Sequence, residues 1–392
     1  MSRITIEAIE TKGIITNPRG KPDPWFQSSH GINPYQGCEH DCLYCDGKSD
    51  WYRMPSDFGT RVKYKANAPE LLRAFFHKKG LVSSKTSKLT DFLPDSSLSS
   101  PIVRKFLLFI GGGVCDVYQP AEKQVKMTRR LLKLCLEYTC PVFILTKGAS
   151  LLKRDLALLR KLNERAFVRV GFTVTLADSE VKRIFEPHSA TTESRFQIME
   201  ELNELGIEAG GVMVPIIPFI GDTDENLEAI ARRAKEAKAK FLIHGSMTLK
   251  PGHKEEFLKT IAQHYPDLLP PYELMYAKSF SPDPKIYKYP SLRAHEFCKT
   301  YGVSDWIPRY IPDGQIAENL LGAAHLWAIG MMYLWRGNRQ TEVFTKAGGY
   351  VNSLERPWSS IKTARLQVPE RIEETLREFK ETGTSSIFES LF

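Results

Sequence analysis

Apolar runs and amphipathic stretches alternate through the middle of this chain. Residues 105–113, KFLLFIGGG, form an apolar run ending in glycines, the pattern of a buried strand that feeds a loop. Over 120–139, Val125, Leu131, Leu132, Cys135 and Leu136 recur with helical spacing, which predicts a helix with Pro120 in its first turn. The alternation continues as strand 141–146, helix 150–164, strand 167–175, and helix 193–206 closed by Gly206. Strand 209–218, helix 223–239 with Thr223 as its cap and Asn226 near its first turn, and strand 240–249 complete it.

Strict alternation with short connections means a parallel sheet with crossover helices. With a first strand before Cys38, the pattern gives about six βα units. An open or full (β/α) barrel and a doubly wound sheet both satisfy it, and in either the site lies at the carboxyl ends of the strands. Segment 83–100 is rich in Ser and Thr and reads as a mobile loop or insertion. After 251 the alternation decays into a Pro- and Tyr-rich stretch, 265–290. From 291 a mostly helical tail is expected to pack beside the barrel and shape its substrate end. The most apolar stretch, 316–335, is interrupted by Glu318, Asn319 and His325, which predicts a buried helix rather than a membrane span. The expected division is an N-terminal extension (1–27), the barrel with its cysteine loop (28–252) and a C-terminal extension (253–392).

Composition changes this picture little. Hydrophobic residues at 42% and charged residues at 26% are ordinary for a soluble globular protein. The net charge of +8 permits a polyanionic partner without requiring one. The N-terminus, MSRITIEAIETKG, has no apolar run of the signal-peptide kind. Seven cysteines in no disulfide-like framework fit a reducing cytoplasm, the expected location.

Three of those cysteines, Cys38, Cys42 and Cys45, crowd into the stretch GINPYQGCEHDCLYCDGK. Thiolates at such spacing hold a metal or do redox chemistry. A structural zinc needs four protein ligands, so His40 or a distant residue would have to complete the set. A 4Fe–4S cluster on three cysteines keeps one iron without a protein ligand and therefore open to a bound molecule. Both readings stand on the spacing alone.

A C-x3-C-x2-C motif with an aromatic residue, Tyr44, before its last cysteine resembles the signature of the radical SAM enzymes. The wider NPYQGCEHDCLYC is similar to the branch related to spore photoproduct lyase. That resemblance continues through KANAPELLR (65–73), GGGVCDVYQPAE (111–122), ILTKGASLLKRDLALL (144–159) and VPIIPFIGD (214–222), spanning about residues 28–260. One departure is clear: where relatives follow the third cysteine with an aromatic, Ala and Arg, this chain has Asp46, Gly47 and Lys48. The resemblance implies a partial (β/α)6 TIM-like barrel with a mostly helical C-terminal extension. It also implies a 4Fe–4S cluster on Cys38, Cys42 and Cys45, and S-adenosylmethionine on the open iron.

It further implies roles for residues that, read alone, have plain structural explanations. Gly111, Gly112 and Gly113 match a glycine-rich segment that binds the methionine amino group, with Asp116 as the accompanying acid; read alone they form a tight turn with an Asp cap. Lys147, directly after the third strand, matches a Thr-Lys that pairs with the methionine carboxylate, and Arg195 is a second carboxylate candidate; alone, both read as surface residues. Thr173 and Thr175 face one side of a strand as ribose or carboxylate partners, which β-propensity explains equally well. Val214–Pro218 and Asp222 stand where adenine and ribose are supported, and Glu186 and His188 are candidates near substrate. Cys115 lies close to a position that donates a hydrogen atom to a product radical in the photoproduct lyases; alone it reads as a small buried residue. Cys135, Cys140 and Cys298 read as core cysteines.

The expected activity is reductive cleavage of S-adenosylmethionine followed by hydrogen-atom abstraction from a substrate the sequence does not identify. A one-electron reductant of the flavodoxin or ferredoxin kind is the implied partner, nucleic acid is a permitted one, and no membrane partner is expected. The alternatives are a DNA photoproduct lyase-like repair enzyme and a non-enzymatic Fe–S or zinc module. No DNA-reading motif is evident, and kinship of fold does not transmit substrate.

Overall fold

The computed structural model describes residues 4–17, 23–52, 57–84, 105–112, 114–283, 286–287, 290–362 and 365–391. Its strands are β1 (Thr5–Ile9), β2 (Ile15–Thr16), β3 (His30–Ile32), β4 (Tyr35–Gln36), β5 (Arg61–Lys65), β6 (Leu108–Ile110), β7 (Val142–Thr146), β8 (Val168–Thr173), β9 (Glu208–Ile216) and β10 (Leu242–Ser246). The main sheet runs β10-β9-β8-β7-β6-β3-β2. Every pair from β3 to β10 is parallel, and β2 lies antiparallel on the β3 edge. The order is linear, so the sheet stays open: a partial barrel of six βα units.

Burial explains why these residues form strands. Crossover helices cover a parallel sheet, so its strands carry near-continuous apolar runs. β8 is buried along its whole length, and β7 is buried except at Leu145. The helices Met127–Glu137, Leu156–Arg165, Thr192–Glu204 and Asp224–Glu236 supply the crossovers, each with an apolar face in the same core. Thr223 caps the last of these by accepting from Asn226 N, as its sequence predicts.

Two predicted helices are broken. Residues 120–139 form Glu122–Val125, then a left-handed Lys126 (φ +55°), then Met127–Glu137. The bend brings the buried Glu122 carboxylate over the second helix's N-terminus, where it accepts from Thr128 N (2.9 Å) and Arg129 N (3.2 Å). Residues 150–164 change to a tighter turn at Lys153–Asp155, where the buried Asp155 carboxylate is held by Arg129, Arg154 and Tyr118. Besides the helix Ala68–Lys78, two features escaped the hydrophobic pattern. One is the short helix Ser179–Phe185, capped by Asp178. The other is a side sheet, β1-β5-β4, built partly from the stretch expected to be an extension. Residues 85–100 of the Ser/Thr-rich segment and Gly113 lie outside the described residues.

The sheet's core does not end at 252. Helix Pro290–Tyr301 packs on β10 and on Asp224–Glu236, and its Ala294 and Cys298, with Val303, join the main core. Cys135 and Cys140 lie in that core too. A second apolar cluster gathers on the buried helix Ala317–Trp335 with Gln340–Asn352 and Glu370–Thr382. Among the described residues, no helix is long and apolar enough to cross a membrane.

Candidate active site

The three clustered cysteines lie on the loop leaving the β3–β4 segment, at the carboxyl end of the parallel sheet. Gly37 (φ +80°) starts that loop, and the Arg61 carbonyl passes where a side chain would stand. Tight backbone bonds shape it: Asp41 N to Cys38 O (3.3 Å), Cys45 N to Cys42 O (3.1 Å) and Lys48 N to Cys45 O (3.0 Å). Other elements pin it from outside. The Gln119 side chain donates to Gly37 O (3.1 Å) and accepts from Glu39 N (3.0 Å). Leu43 N donates to Phe185 O (2.9 Å), and His253 Nε2 lies 2.9 Å from Leu43 O. The residues that depart from the family pattern are anchors. Asp46 holds Thr248 and Lys250, Lys48 pairs with Asp41 (2.7 Å) and Glu256 (2.6 Å), and Gly47 packs against Val114.

Cys38, Cys42 and Cys45 wall one cavity of about 230 Å³. Burial pushes all three thiols up, Cys42 to about 12. Lys147 works in the opposite sense on Cys42 and Cys45; burial lowers its own ammonium, but Cys42 and Glu186 outweigh this and leave it above its usual range. Among the described residues no three His, Cys, Asp or Glu groups converge as the ligands of a single metal ion. His40, weighed above as a fourth zinc ligand, directs Nε2 at Asp116 (3.3 Å) and Nδ1 at the His188 carbonyl (3.4 Å). Three thiols around one cavity suit a cluster held by three cysteines, and His40 is engaged elsewhere.

Of the other predicted residues, Tyr44, Gly112, Cys115, Asp116, Lys147 and Thr173 line the same cavity, as do Val214 and Pro215. Gly111 supports the wall behind them. Its φ is +132°, and a Cβ there would stand 3.0 Å from the Leu145 carbonyl oxygen. Lys147 extends its ammonium over the Tyr44 ring and forms no ion pair among the described residues. Cys115 is 2% exposed, and its carbonyl accepts from the Asn33 side chain (2.9 Å).

The structure gives the remaining candidates partners of their own. Asp116 is not free to receive an ammonium: its carboxylate accepts from Tyr118 N (2.8 Å), Thr146 Oγ1 (2.6 Å) and Lys147 N (2.5 Å), and faces His40. Burial opposes its ionisation, but His40 and these donors hold it well below the usual carboxylate range. Arg195 does not reach the cavity. It is fully buried, paired with Glu186, and donates to Thr173 O (2.7 Å) and Ala190 O (2.6 Å). Thr175 lies outside the wall, and its buried hydroxyl has no hydrogen-bond partner among the described residues. Asp222 accepts from Tyr287 (2.7 Å).

Glu186, expected near substrate, is instead a fully buried junction: Tyr44 donates its hydroxyl to it, and Arg195 and Ser189 hold its other oxygen. Sequence reasoning missed Gln119. The only sequence trace of its role is a polar residue in the otherwise apolar VYQPA, buried to 0% exposure.

Comparison with known proteins gives a family profile, curated relatives and solved structures. The profile of the Radical SAM superfamily matches residues 103–234, a span that contains Asp116, Lys147 and Thr173 and begins after the cysteine loop. An uncharacterised protein of Methanocaldococcus jannaschii is 30% identical over 268 residues, 68% of this chain and 86% of that protein. An uncharacterised protein of Mycobacterium tuberculosis is 24% identical over 251 residues, 63% of this chain and 67% of its own length. Among solved structures, a spore photoproduct lyase mutant with bound AdoMet and dinucleoside spore photoproduct aligns with a TM-score of 0.43 and 15% identity. That alignment covers 67% of this chain and 66% of the lyase chain, so this chain spans just under two thirds of its length.

Proposed function

The chain belongs to the radical SAM superfamily, and on that premise we propose that it is an enzyme that holds a 4Fe–4S cluster on Cys38, Cys42 and Cys45, binds S-adenosylmethionine beside it, and removes a hydrogen atom from an organic substrate. One observation carries the reading: three thiols and an ammonium that has no ion-pair partner among the described residues face one cavity at the carboxyl end of a parallel sheet.

Cys38, Cys42 and Cys45 would hold the cluster, which would supply one-electron chemistry to S-adenosylmethionine bound beside it. The chain's residues prepare for this. Lys147 offers its charge to the methionine carboxylate. Gly111 and Gly112 let the backbone at the end of β6 come close to the ligand. Asp116 positions Lys147 by accepting from its backbone N–H, and Thr173 adds a hydroxyl to the wall. Phe26, Leu145, Val212 and Val214 form apolar wall that excludes water from a reactive species. Burial keeps Cys115 protonated, so its Sγ holds a hydrogen atom in the wall of the cavity, ready for a product radical. A one-electron reductant of the flavodoxin or ferredoxin class would feed the cluster.

The test is to reconstitute the chain anaerobically, add S-adenosylmethionine and reductant, and screen deuterated extracts for transfer into 5′-deoxyadenosine. Transfer from one extract component identifies the substrate. Iron-loaded protein that releases no 5′-deoxyadenosine contradicts the reading.

A further inference from the structure

Two stretches far apart in sequence, 33–40 and 115–122, close on each other around Cys38. Every second residue from Asn33 to Glu39 bonds the other stretch. Asn33 Nδ2 donates to Cys115 O (2.9 Å), and Tyr35 donates its hydroxyl to Glu122. Gly37 O accepts from the Gln119 side chain (3.1 Å), and the Glu39 carboxylate accepts from Ala121 N. Each of these bonds joins protein groups, so the seam forms on folding and does not need a metal.

Gln119 is the centre of this seam. Its Nε2 donates one hydrogen to Gly37 O and the other to Asp116 O (3.0 Å), while Oε1 accepts from Glu39 N (3.0 Å). The Gly37 carbonyl belongs to the peptide unit before Cys38, and the Glu39 N–H belongs to the unit after it. One side chain therefore fixes both planar units that meet at the Cys38 Cα, and with them the direction of its Cα–Cβ bond. Gln119 is fully buried, so water is not at hand to take over these bonds. Its loss would leave Gly37 O, Asp116 O and Glu39 N each one bond short.

We propose that Gln119 is a positioning residue of the metal centre: by holding both peptide units of Cys38, it aims that thiol into the cavity before any iron is bound. The cost of ordering the loop then falls on folding and not on iron binding. That the centre is a metal site rests on the function proposed above; the hold on Cys38 does not.

The test labels the iron-free full-length chain with iodoacetamide and follows each cysteine by peptide mapping. Gln119→Met keeps the length of the side chain and removes all three bonds. Cys38 should then label about tenfold faster than in the wild type, while Cys135, Cys140 and Cys298, in the main core, keep their wild-type rates. Gln119→Glu keeps the acceptor for Glu39 N but has no hydrogen for either carbonyl, and it should speed Cys38 as well. Leu202→Ala, a buried change elsewhere in the same core, controls for general loosening and should not single out Cys38. Should the Gln119 variants not fold, Glu39→Ala carries the test. It removes the acceptor of Ala121 N from a partly exposed position and should speed Cys38 several-fold. Reconstituted with iron and sulfide, Gln119→Met should release iron to a chelator faster than the wild type. Wild-type labelling of Cys38 in a folded variant, a rise shared equally by the core cysteines, or iron release at the wild-type rate overturns the proposal. Because the labelling needs no iron, the two readings fail separately: Cys38 loosened by the Gln119 changes in a chain that never cleaves S-adenosylmethionine sinks the radical reading and leaves Gln119 assigned.

Discussion

The Lys147 ammonium lies 5.4 Å from the centre of the Tyr44 ring. Tyr44 immediately precedes the third cysteine, and Lys147 immediately follows β7, so this cation–π contact joins the cysteine loop to the sheet. The same tyrosine donates its hydroxyl to Glu186, which Arg195 holds from the far side. The Lys147 charge therefore points into the cavity from a braced support.

Lys147→Ala should weaken S-adenosylmethionine binding while iron loading persists. A charge-assisted contact of this type is worth ~1.5–3 kcal/mol, roughly ten- to a hundredfold in affinity. Equilibrium dialysis on reconstituted protein measures it. Unchanged affinity would remove Lys147 from the cofactor site.

Glu186→Gln should act on stability. Glu186 and Arg195 are both 0% exposed, and removing one member of a buried pair costs ~3–5 kcal/mol. Burial opposes ionisation of Glu186, but Arg195, Lys147 and the Tyr44 hydroxyl overcome it and lower its pKa from 4.5 to about 2. A depressed carboxylate stabilises above its unfolded value and loses that contribution as pH falls through the folded one. Urea melts of iron-free protein should show the wild-type advantage intact at neutral pH and shrinking from about pH 4.5 toward 2. An advantage independent of pH would mean that the ionised pair is not its source.

Asp116→Asn should lower iron loading as well as cofactor affinity. Its carboxylate fixes Thr146, the Lys147 backbone and His40 of the cysteine loop together, so the substitution loosens the cluster's own setting. Iron assay after reconstitution decides between this and a purely ligand-binding role, in which iron content would stay at wild-type level.

Cys115→Ala should still cleave S-adenosylmethionine yet give stalled or abnormal product, because the wall of the cavity loses its S–H. Product analysis by mass spectrometry is the readout. Normal product with a stability loss of about 1 kcal/mol would make Cys115 a packing residue.

The sheet was legible because each of its covered strands is an apolar run and each crossover helix has one apolar face, so two periods alternate cleanly in sequence. The cysteine loop was legible because thiols at that spacing have few other uses. The break at Lys126 left no such trace. Lysine is a good helix former, and the bend is imposed by a buried carboxylate four residues earlier, which bonds the next helix's N-terminus. The partners of Asp116 and Arg195 were not legible for a related reason: sequence gives a residue's charge and position, not which partners its lone pairs or donors already serve. Gln119, an uncharged side chain that satisfies backbone on two loops, had no periodic or charge signal at all.

The most direct measurement is the metal content and redox activity of anaerobically reconstituted protein beside its Cys38→Ala, Cys42→Ala and Cys45→Ala variants. The wild type should hold about four iron and four sulfide per chain and release 5′-deoxyadenosine from S-adenosylmethionine on reduction, and each variant should lose both the brown chromophore and the cleavage. Stoichiometric zinc that iron cannot replace, or cleavage that survives loss of any of the three thiols, would contradict the account.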